Sequence, residues 1–138
     1  MSERSRSVSN CRPAGPDHQV VTVTGPSRGY RKIPCGGCPW RQDNDKTFPA
    51  EAFLHSANTA YDMATHEFAC HESGVKGAHT CAGFILQGSD HNLSARLKRI
   101  QGSYQDVNSP VPLHDSYRAM AIANGVPESH EALQACRP

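Results

Sequence analysis

Two cysteines separated by two glycines are the feature that most constrains how this chain can fold. The segment PCGGCPW places Cys35 and Cys38 at a spacing that lets two thiolates bind one tetrahedral ion, and the intervening glycines let the backbone bend tightly. Such a pair is half of a site, so two further ligands have to come from elsewhere. Cys70 and Cys81 bracket a glycine-containing segment that can fold back on itself. The sequence therefore predicts a metal site with four cysteine ligands: Cys35, Cys38, Cys70 and Cys81.

The expected ion is zinc (Zn²⁺), because zinc is the commoner occupant of small four-thiolate sites. The gap between Cys70 and Cys81 is longer than in an ordinary zinc ribbon or finger, so no standard finger motif is present. An iron–sulfur cluster is the alternative, since Pro39 after Cys38 matches the Cys-Pro ending of bacterial ferredoxin motifs, although those motifs need closer cysteine spacing.

Histidines near these cysteines could alter the ligand set, because imidazole, like thiolate, is a common zinc ligand. The candidates to replace a cysteine are His66, His71 and His79. Since adjacent residues seldom both reach one ion, we expect His71 to hydrogen-bond to a ligand rather than to bind the ion itself. Cys11 and Cys136 are expected to be free thiols.

A CxxC pair is also typical of thiol–disulfide oxidoreductases, in which one thiolate attacks and its neighbour resolves the mixed disulfide. Those proteins place a helix N-terminus under the first cysteine, and no βαβ pattern surrounds this motif. Trp40 follows the second cysteine rather than preceding the first, and we expect it to pack over the site and exclude water. Thiol redox chemistry is therefore an alternative, as are plain buried thiols at Cys70 and Cys81.

The composition favours a metal-stabilised domain. The 138 residues fit one domain, and with 37% apolar and 7% aromatic residues the hydrophobic core has little to spare. No secretory segment and no apolar run of about 18 residues is visible, so we expect a cytoplasmic protein that does not enter the membrane. In a reducing cytoplasm, six cysteines are more often metal ligands or thiols than disulfides.

The charges argue against a general nucleic-acid binder. Fourteen basic and 13 acidic side chains give a formal net charge of +1, so no global field attracts a phosphate backbone. The cluster of Arg96, Lys98 and Arg99 could contact phosphates, but such a cluster is usually the solvated face of a helix, which makes nucleic-acid binding the second alternative. No catalytic motif is visible, which argues against an enzyme and favours a binding or regulatory role with a protein partner.

The first part of the chain predicts a tail followed by a hairpin and a helix. Residues 1–18 are rich in Ser, Arg, Pro and Gly and predict a disordered polar tail before a single domain over 19–138. Gln19–Thr24 reads QVVTVT and predicts a strand, with Tyr30–Ile33 as its hairpin partner. A helix is expected over Pro49–Ala64, because proline suits a first helical turn and an apolar stripe follows it.

The second part of the chain predicts mainly helices. Asn92 is a good N-cap for a helix to about residue 101. The apolar residues of this helix share one face: Leu93, Leu97 and Ile100. Further helices are expected over 114–124 and 129–135, an extended segment over 67–70, and a strand or preferably a buried helix over 82–86. The fold class that follows is α+β: one small domain with a short β-hairpin and three or four helices around the metal site.

Three short blocks resemble the shared blocks of a small, functionally uncharacterised protein family of bacteria and bacteriophages. They are PCGGCPWR at 34–41, FACH at 68–71 and CAGF at 81–84, and together they span about residues 33–86 and include all four proposed ligands. The resemblance implies a bacterial cell or a phage-infected host as the setting, and it implies no settled activity. The expected function is therefore a small intracellular binding or regulatory protein with a structural zinc site.

Overall fold

A three-stranded antiparallel sheet joins segments that lie far apart in the chain. The computed structural model describes residues 7–13, 19–24, 29–44, 48–70 and 79–136. The strands are β1 (Ser7–Pro13), β2 (Gln19–Thr24) and β3 (Glu67–Phe68), in the order β1-β2-β3. Val8 lies opposite Val23, and Thr22 lies opposite Phe68. The β-branched sequence of β2 suits its central position, because such residues fit a pleated surface with neighbours on both edges.

The partners of β2 differ from the predicted one. Strand β2 has the predicted bounds, which confirms that element. The predicted hairpin with Tyr30–Ile33 is wrong, because β2 pairs with β1 and β3, and Tyr30 instead makes an isolated parallel bridge to Thr80. Residues 7–13 belong to the segment predicted as a disordered tail, and the structure places them in β1, where pairing with β2 satisfies their backbone groups.

The predicted helix Pro49–Ala64 is broken into two short turns. These are α1 (Ala52–His55) and a 3₁₀ turn (Ala57–Ala60). The break falls at Ser56, whose hydroxyl hydrogen-bonds to the Ala52 carbonyl at 3.3 Å and to the Tyr117 hydroxyl at 2.7 Å. The Thr59 hydroxyl then donates to the Ser56 carbonyl at 2.8 Å. Side chains of this kind compete with the helical backbone pattern, which explains why the apolar stripe overestimates the helix.

The second half of the chain contains most of the helices, as predicted. They are a π-helical turn (Phe84–Gly88), α2 (Leu93–Ile100), α3 (Tyr117–Ala123) and α4 (Glu131–Gln134). The Asn92 side chain caps α2 by accepting from the Ala95 backbone N–H at 3.0 Å, and Ser116 caps α3 in the same way. Gly125 follows α3 with a φ of +106°, a left-handed conformation that favours glycine. The preference for a helix over a strand at 82–86 is confirmed.

The apolar stripe of helix α2 faces outward, and the opposite face of the helix packs against the core. Ile100 is 81% exposed and Leu97 is 49% exposed, whereas Lys98 is 6% exposed and Ala95 is fully buried. Lys98 is drawn inward by Glu67, a buried acid in β3 whose carboxylate accepts a hydrogen bond from Lys98 Nζ at 2.7 Å. Burying one of these charges without the other would be costly, so the pair orients the helix. The expectation that Lys98 belongs to a solvated basic face is wrong.

The core is built around aromatic rings from separate parts of the chain. Phe68 in β3 packs edge-on to Trp40, with ring centroids 6.0 Å apart, and stacks with Phe84 at 6.4 Å. Tyr117 of α3 contacts both Trp40 and Phe68. These rings meet in one core, so the molecule is one small domain of mixed α/β type. Within the described ranges, no helix has both the length and the apolar character that crossing a membrane requires.

Candidate metal centre

The CxxC segment forms a tight turn that is braced by a neighbouring side chain. The Cys38 backbone N–H donates to the Cys35 carbonyl at 3.1 Å, which closes the turn over the two glycines. The Asn44 side-chain amide then donates to the Gly36 carbonyl at 2.9 Å and to the Cys38 carbonyl at 3.0 Å. Asn44 reaches them because the 3₁₀ turn Gln42–Asn44 folds the chain back directly after the motif. Sequence reasoning missed Asn44, for which the available signal is a polar, turn-forming stretch close behind the cysteines.

Cys70 and Cys81 lie on two segments that pair next to β3. Ala69 and Thr80 form an antiparallel bridge, and the Cys81 N–H donates to the Phe68 carbonyl at 2.9 Å. Residues opposite each other in such a ladder share a face, and so do alternate residues along one strand. Cys70 and Cys81 therefore lie on the same face as Phe68, diagonally across the ladder, while Thr80 lies on the other face.

Two of the predicted ligands are in contact through their sulfur atoms. Cys38 Sγ lies 3.6 Å from Cys81 Sγ, and both side chains are buried. The side chain of Cys35, which is partly exposed, hydrogen-bonds to Cys38. None of the three is in a disulfide, and the separation of the Cys38 and Cys81 sulfurs is well beyond a disulfide bond of about 2.05 Å. It is close to the spacing of about 3.8 Å between two sulfurs on one tetrahedral zinc ion, given Zn–S bonds of about 2.3 Å.

The described contacts assemble part of the predicted ligand set. Cys38 contacts both Cys35 and Cys81, and Cys70 is buried on the same ladder face as Cys81. In the part of the chain that the structure describes, no group of three or more His, Cys, Asp or Glu side chains is arranged to hold a metal ion. Completion of a four-cysteine site therefore stays a prediction. Cys136 is buried and free of disulfides, as expected.

The candidate histidines and Cys11 are only partly covered by the described residues. His71 and the Cys11 side chain lie outside what the structure describes. His66 is half-buried, and its backbone carbonyl accepts from the Asn92 side-chain amide at 2.7 Å, while His79 is exposed. Whether a histidine replaces one of the cysteines is not tested by these contacts.

The surroundings of Cys38 favour the neutral thiol. A hydrogen bond with Cys35 lowers the pKa of the Cys38 thiol, but hydrogen bonding to Cys81, burial and the charge of Cys81 together raise it above its ordinary value. The hydrogen bond with Asp43 is the largest cause that raises the pKa of Arg41, and the charges of Cys38 and Cys35 also raise it. Asp43 accepts two hydrogen bonds from this guanidinium, at 2.9 and 2.6 Å, so the Arg41 charge is already paired. Thiolates at this place would therefore need a further source of positive charge.

Trp40 packs against the turn that follows Cys81. A Cβ added at Gly83 would lie 2.5 Å from Trp40 Cβ, and one added at Gly88 would collide with the far edge of the indole. The fully buried ring therefore lies directly on the backbone of the π-helical turn. The Trp40 ring thus requires glycine at positions 83 and 88 of this chain.

A second buried polar cluster lies on the other face of the same ladder. Glu67 is fully buried, and its two carboxylate oxygens accept hydrogen bonds from four side chains. The donors are Lys98 Nζ (2.7 Å), Ser94 Oγ (2.5 Å), Thr80 Oγ1 (2.9 Å) and Tyr104 OH (2.5 Å). Burial raises the pKa of Glu67, but the charge of Lys98 and the hydrogen bonds outweigh it, so the pKa is lowered. Sequence reasoning missed this cluster, for which the signal is a lone acid inside an otherwise apolar extended segment.

Together, the fold and the clustered thiols define a small mixed α/β domain with cysteines gathered beside its core. The chain belongs to a family of unknown function, DUF6283, whose model matches residues 30–137. The match extends beyond the blocks at about 33–86, because it also includes α2, α3 and α4, and it leaves out β1 and β2. No curated protein and no solved structure matches this chain significantly. The bacterial or bacteriophage setting implied by the resemblance stays a prediction.

Proposed function

We propose that this chain is a binding or regulatory module whose fold is stabilised by one zinc ion bound to Cys35, Cys38, Cys70 and Cys81. The observation that carries the proposal is the 3.6 Å separation of Cys38 Sγ and Cys81 Sγ, from residues 43 positions apart. Two thiols that approach this closely without a disulfide have the spacing of two ligands on one tetrahedral ion.

The chemistry of the donor set supports zinc. Thiolates are soft ligands that select zinc, copper(I) or iron–sulfur clusters over magnesium or calcium. Cys38 and Cys81 are buried, and the surroundings of Cys38 raise the pKa of its thiol, so a divalent cation would supply the charge that favours the thiolate form. When bound, the ion would cross-link the CxxC turn to the ladder beside β3 and so act on the fold.

The ligand number supports a structural role for the ion. Four thiolates leave a tetrahedral ion no open position for water or substrate, so this ion would not act as a Lewis acid. The function of the module then resides in its surface, and the described cations favour a protein partner over nucleic acid. Lys98 is buried against Glu67, and Arg99 donates to the Ile85 carbonyl and to Ser89 Oγ, which leaves Arg96 as the exposed member of the predicted basic cluster.

The test is elemental analysis of protein purified without air, followed by cobalt(II) substitution. We expect one zinc per chain, no iron or sulfide, and thiolate-to-cobalt charge-transfer absorption with the visible bands of a tetrahedral site. Serine substitution of each proposed ligand should weaken metal retention: Cys35→Ser, Cys38→Ser, Cys70→Ser and Cys81→Ser. Cys136→Ser is the matched control, because Cys136 is also a buried free thiol.

Two outcomes would contradict the proposal. A brown protein that contains iron and sulfide would replace zinc with a cluster. The ligand set would also be wrong if a serine variant of one of the four inner cysteines kept its metal while Cys136→Ser lost it.

A further inference from the structure

The three contacting thiols differ sharply in their access to solvent. Cys35 is partly exposed, whereas Cys38 and Cys81 are buried. Cys38 contacts both of the others, through a hydrogen bond with Cys35 and a sulfur–sulfur separation of 3.6 Å from Cys81. Cys35 is therefore the most exposed of the three residues, and Cys38 is placed to react with whatever forms there.

We propose that Cys35 is a peroxide-modification site and that its oxidation, resolved by Cys38, ejects the metal ion. The ejection rests on the zinc site proposed above, whereas the modification of Cys35 does not. A hydroperoxide is the oxidant, because it is a small molecule and accepts the two electrons that the formation of a disulfide releases.

The first step converts Cys35 to a sulfenic acid. The Cys35 thiolate sulfur attacks one peroxide oxygen, an S–O bond forms, the O–O bond breaks, and the second oxygen leaves as hydroxide that takes up a proton to become water. In the second step the Cys38 sulfur attacks the Cys35 sulfur, the S–S bond forms, and the hydroxide that leaves Cys35 takes up the Cys38 proton and becomes water. The two cysteine sulfurs thus give two electrons to one hydrogen peroxide, with one disulfide and two waters as products.

The turn geometry favours Cys35 over Cys81 as the partner of Cys38. The hydrogen bond between the Cys38 N–H and the Cys35 carbonyl closes a β-turn, whose end Cα atoms lie within about 7 Å of each other, close to the range of about 4.4–6.8 Å that a disulfide spans. A bond to Cys81 would require the sulfurs to close from 3.6 Å to about 2.05 Å between segments held by their own backbone hydrogen bonds.

The consequence for the metal site follows from its ligand count. A disulfide between Cys35 and Cys38 removes both thiolates of the CxxC half of the site. Two thiolates from the other half do not complete a tetrahedral site, so the ion leaves. Because the ion would cross-link the turn to the ladder, peroxide would loosen this part of the fold.

The test uses the full-length, zinc-loaded protein, treated without air with one equivalent of hydrogen peroxide. Released zinc is measured with a chromogenic chelator, and the disulfide is mapped by mass spectrometry after alkylation of the remaining thiols. We expect one zinc released per disulfide formed, and the disulfide to join Cys35 to Cys38. A zinc-loaded protein that keeps its ion under these conditions would overturn this inference and leave the zinc site standing.

A second measurement works without metal and separates the two proposals. Reduced, metal-free protein is treated with peroxide in the presence of dimedone, which traps sulfenic acids. We expect Cys35 to be labelled on the order of tenfold faster than the buried Cys136, and Cys38→Ser to increase the label at Cys35 because the resolving thiol is gone. Equal labelling of Cys35 and Cys136, or a first disulfide between Cys38 and Cys81, would overturn the assignment of Cys35. If no zinc were found, the proposed function would be wrong, but the dimedone measurement would still decide whether Cys35 is the modification site.

Discussion

The two faces of the ladder beside β3 bury polar groups at similar depth, but the surroundings shift the pKa values of these groups in opposite directions. On one face, the Glu67 carboxylate is surrounded by an ammonium group and three hydroxyls, and its pKa is lowered. On the other face, Cys38 has thiols as its sulfur neighbours, and its pKa is raised. The protein itself supplies the positive charge that holds Glu67 ionised. Among the described residues, Arg41 interacts electrostatically with Cys38, but its charge is already paired with Asp43.

This difference separates a cluster whose charge is balanced by its own partners from one to which the proposed function assigns an ion. Glu67 is held in its charged form by its own partners, so the cluster around it is self-sufficient and ties β3 to α2. The surroundings of Cys38 raise the pKa of its thiol, and the proposed divalent ion would supply the positive charge that favours the thiolate form. The comparison therefore predicts that metal removal damages one face and leaves the other intact, whereas substitution of Glu67 or Lys98 does the reverse.

The largest expected effect is the removal of metal by a chelator at neutral pH. Structural zinc binds with an apparent free energy of about 10–16 kcal/mol, as large as the whole stability of a typical small domain, about 5–15 kcal/mol. Trp40 is the single tryptophan and lies two residues after Cys38, so its fluorescence reports on this face. We expect chelation to shift Trp40 emission to the red and to lower helical circular dichroism and Tm together, and zinc to restore all three.

Cobalt or zinc analysis of the same samples provides the control, because it shows whether the chelator has removed the ion. A protein proved to be metal-free that keeps its native fluorescence and Tm would end the idea that this face depends on an ion. Such a result would favour a preformed thiol site with a redox purpose.

The next effect concerns the face of the ladder that carries Glu67. Glu67→Gln leaves the Lys98 ammonium buried without a counter-charge, which we expect to cost about 3–5 kcal/mol in the free energy of unfolding. The double variant Glu67→Gln with Lys98→Met should recover most of that loss, because a buried ion pair is often replaceable by uncharged groups of similar size. Urea denaturation of the zinc-loaded proteins measures both values. Equal stability of the wild type and Glu67→Gln would show that the pair does not hold α2 in place.

The pH dependence of that difference gives a further check with a definite sign. The folded-state pKa of Glu67 lies below the unfolded value of 4.5, because Lys98 and the hydroxyl donors stabilise the carboxylate. The stabilising contribution is therefore complete above about pH 4.5 and is lost as the pH falls through the folded pKa. We expect the stability gap between the wild type and Glu67→Gln to shrink below pH 4.5. A gap that widens on acidification would contradict this.

A smaller effect is expected where the two cysteine-bearing segments touch. Gly83→Ala places a Cβ 2.5 Å from Trp40 Cβ, and overpacking of this kind costs about 1–3 kcal/mol. Gly36→Ala is the matched control, because its added Cβ meets no atom within 4 Å and we expect a change within about 0.5 kcal/mol. Thermal unfolding of the two variants measures the contrast. If Gly36→Ala were the more damaging change, the CxxC turn rather than the Trp40 contact would be the constrained part of the site.

Local signals predicted local structure well. The β-branched run gave the bounds of β2, Asn92 was identified as the cap of α2, and the inward face of α3, with Tyr117, Met120 and Ala121, is buried as its helical spacing requires. In each case the decisive interactions lie within a few residues or follow from one periodic pattern. The CxxC pair belongs to the same class, since its turn is closed by a hydrogen bond between its own two cysteines.

Long-range polar contacts account for most of the failures. The helix expected over Pro49–Ala64 stops because the Ser56 hydroxyl bonds to Tyr117, which lies 61 residues further along the chain. Helix α2 turns its apolar stripe outward because Lys98 meets Glu67 across 31 residues. Glu67 can be noticed as a lone acid, but a single sequence does not reveal which distant side chain such a residue meets. Cys70 and Cys81 are different, because the glycine-containing segment between them indicated that they could meet, and the bridge between Ala69 and Thr80 brings their two segments together.

The smallest expected effect comes from a substitution that tests the orientation of α2, because this orientation brings Lys98 to Glu67. Ile100→Lys changes a side chain that is 81% exposed, so we expect the free energy of unfolding to change by less than about 0.5 kcal/mol. Ala95→Lys introduces the same residue at a fully buried position of the same helix, where an unpaired ammonium group has to be desolvated, and we expect a loss of several kcal/mol, at least about 3. Urea denaturation of both variants distinguishes the two orientations, because an inward apolar stripe would make Ile100→Lys the damaging change and Ala95→Lys the tolerated one. In the reversed orientation Lys98 would point away from Glu67, and the buried carboxylate would lack its cation. Such a result would therefore contradict both the packing of α2 and the contrast between the two faces of the ladder.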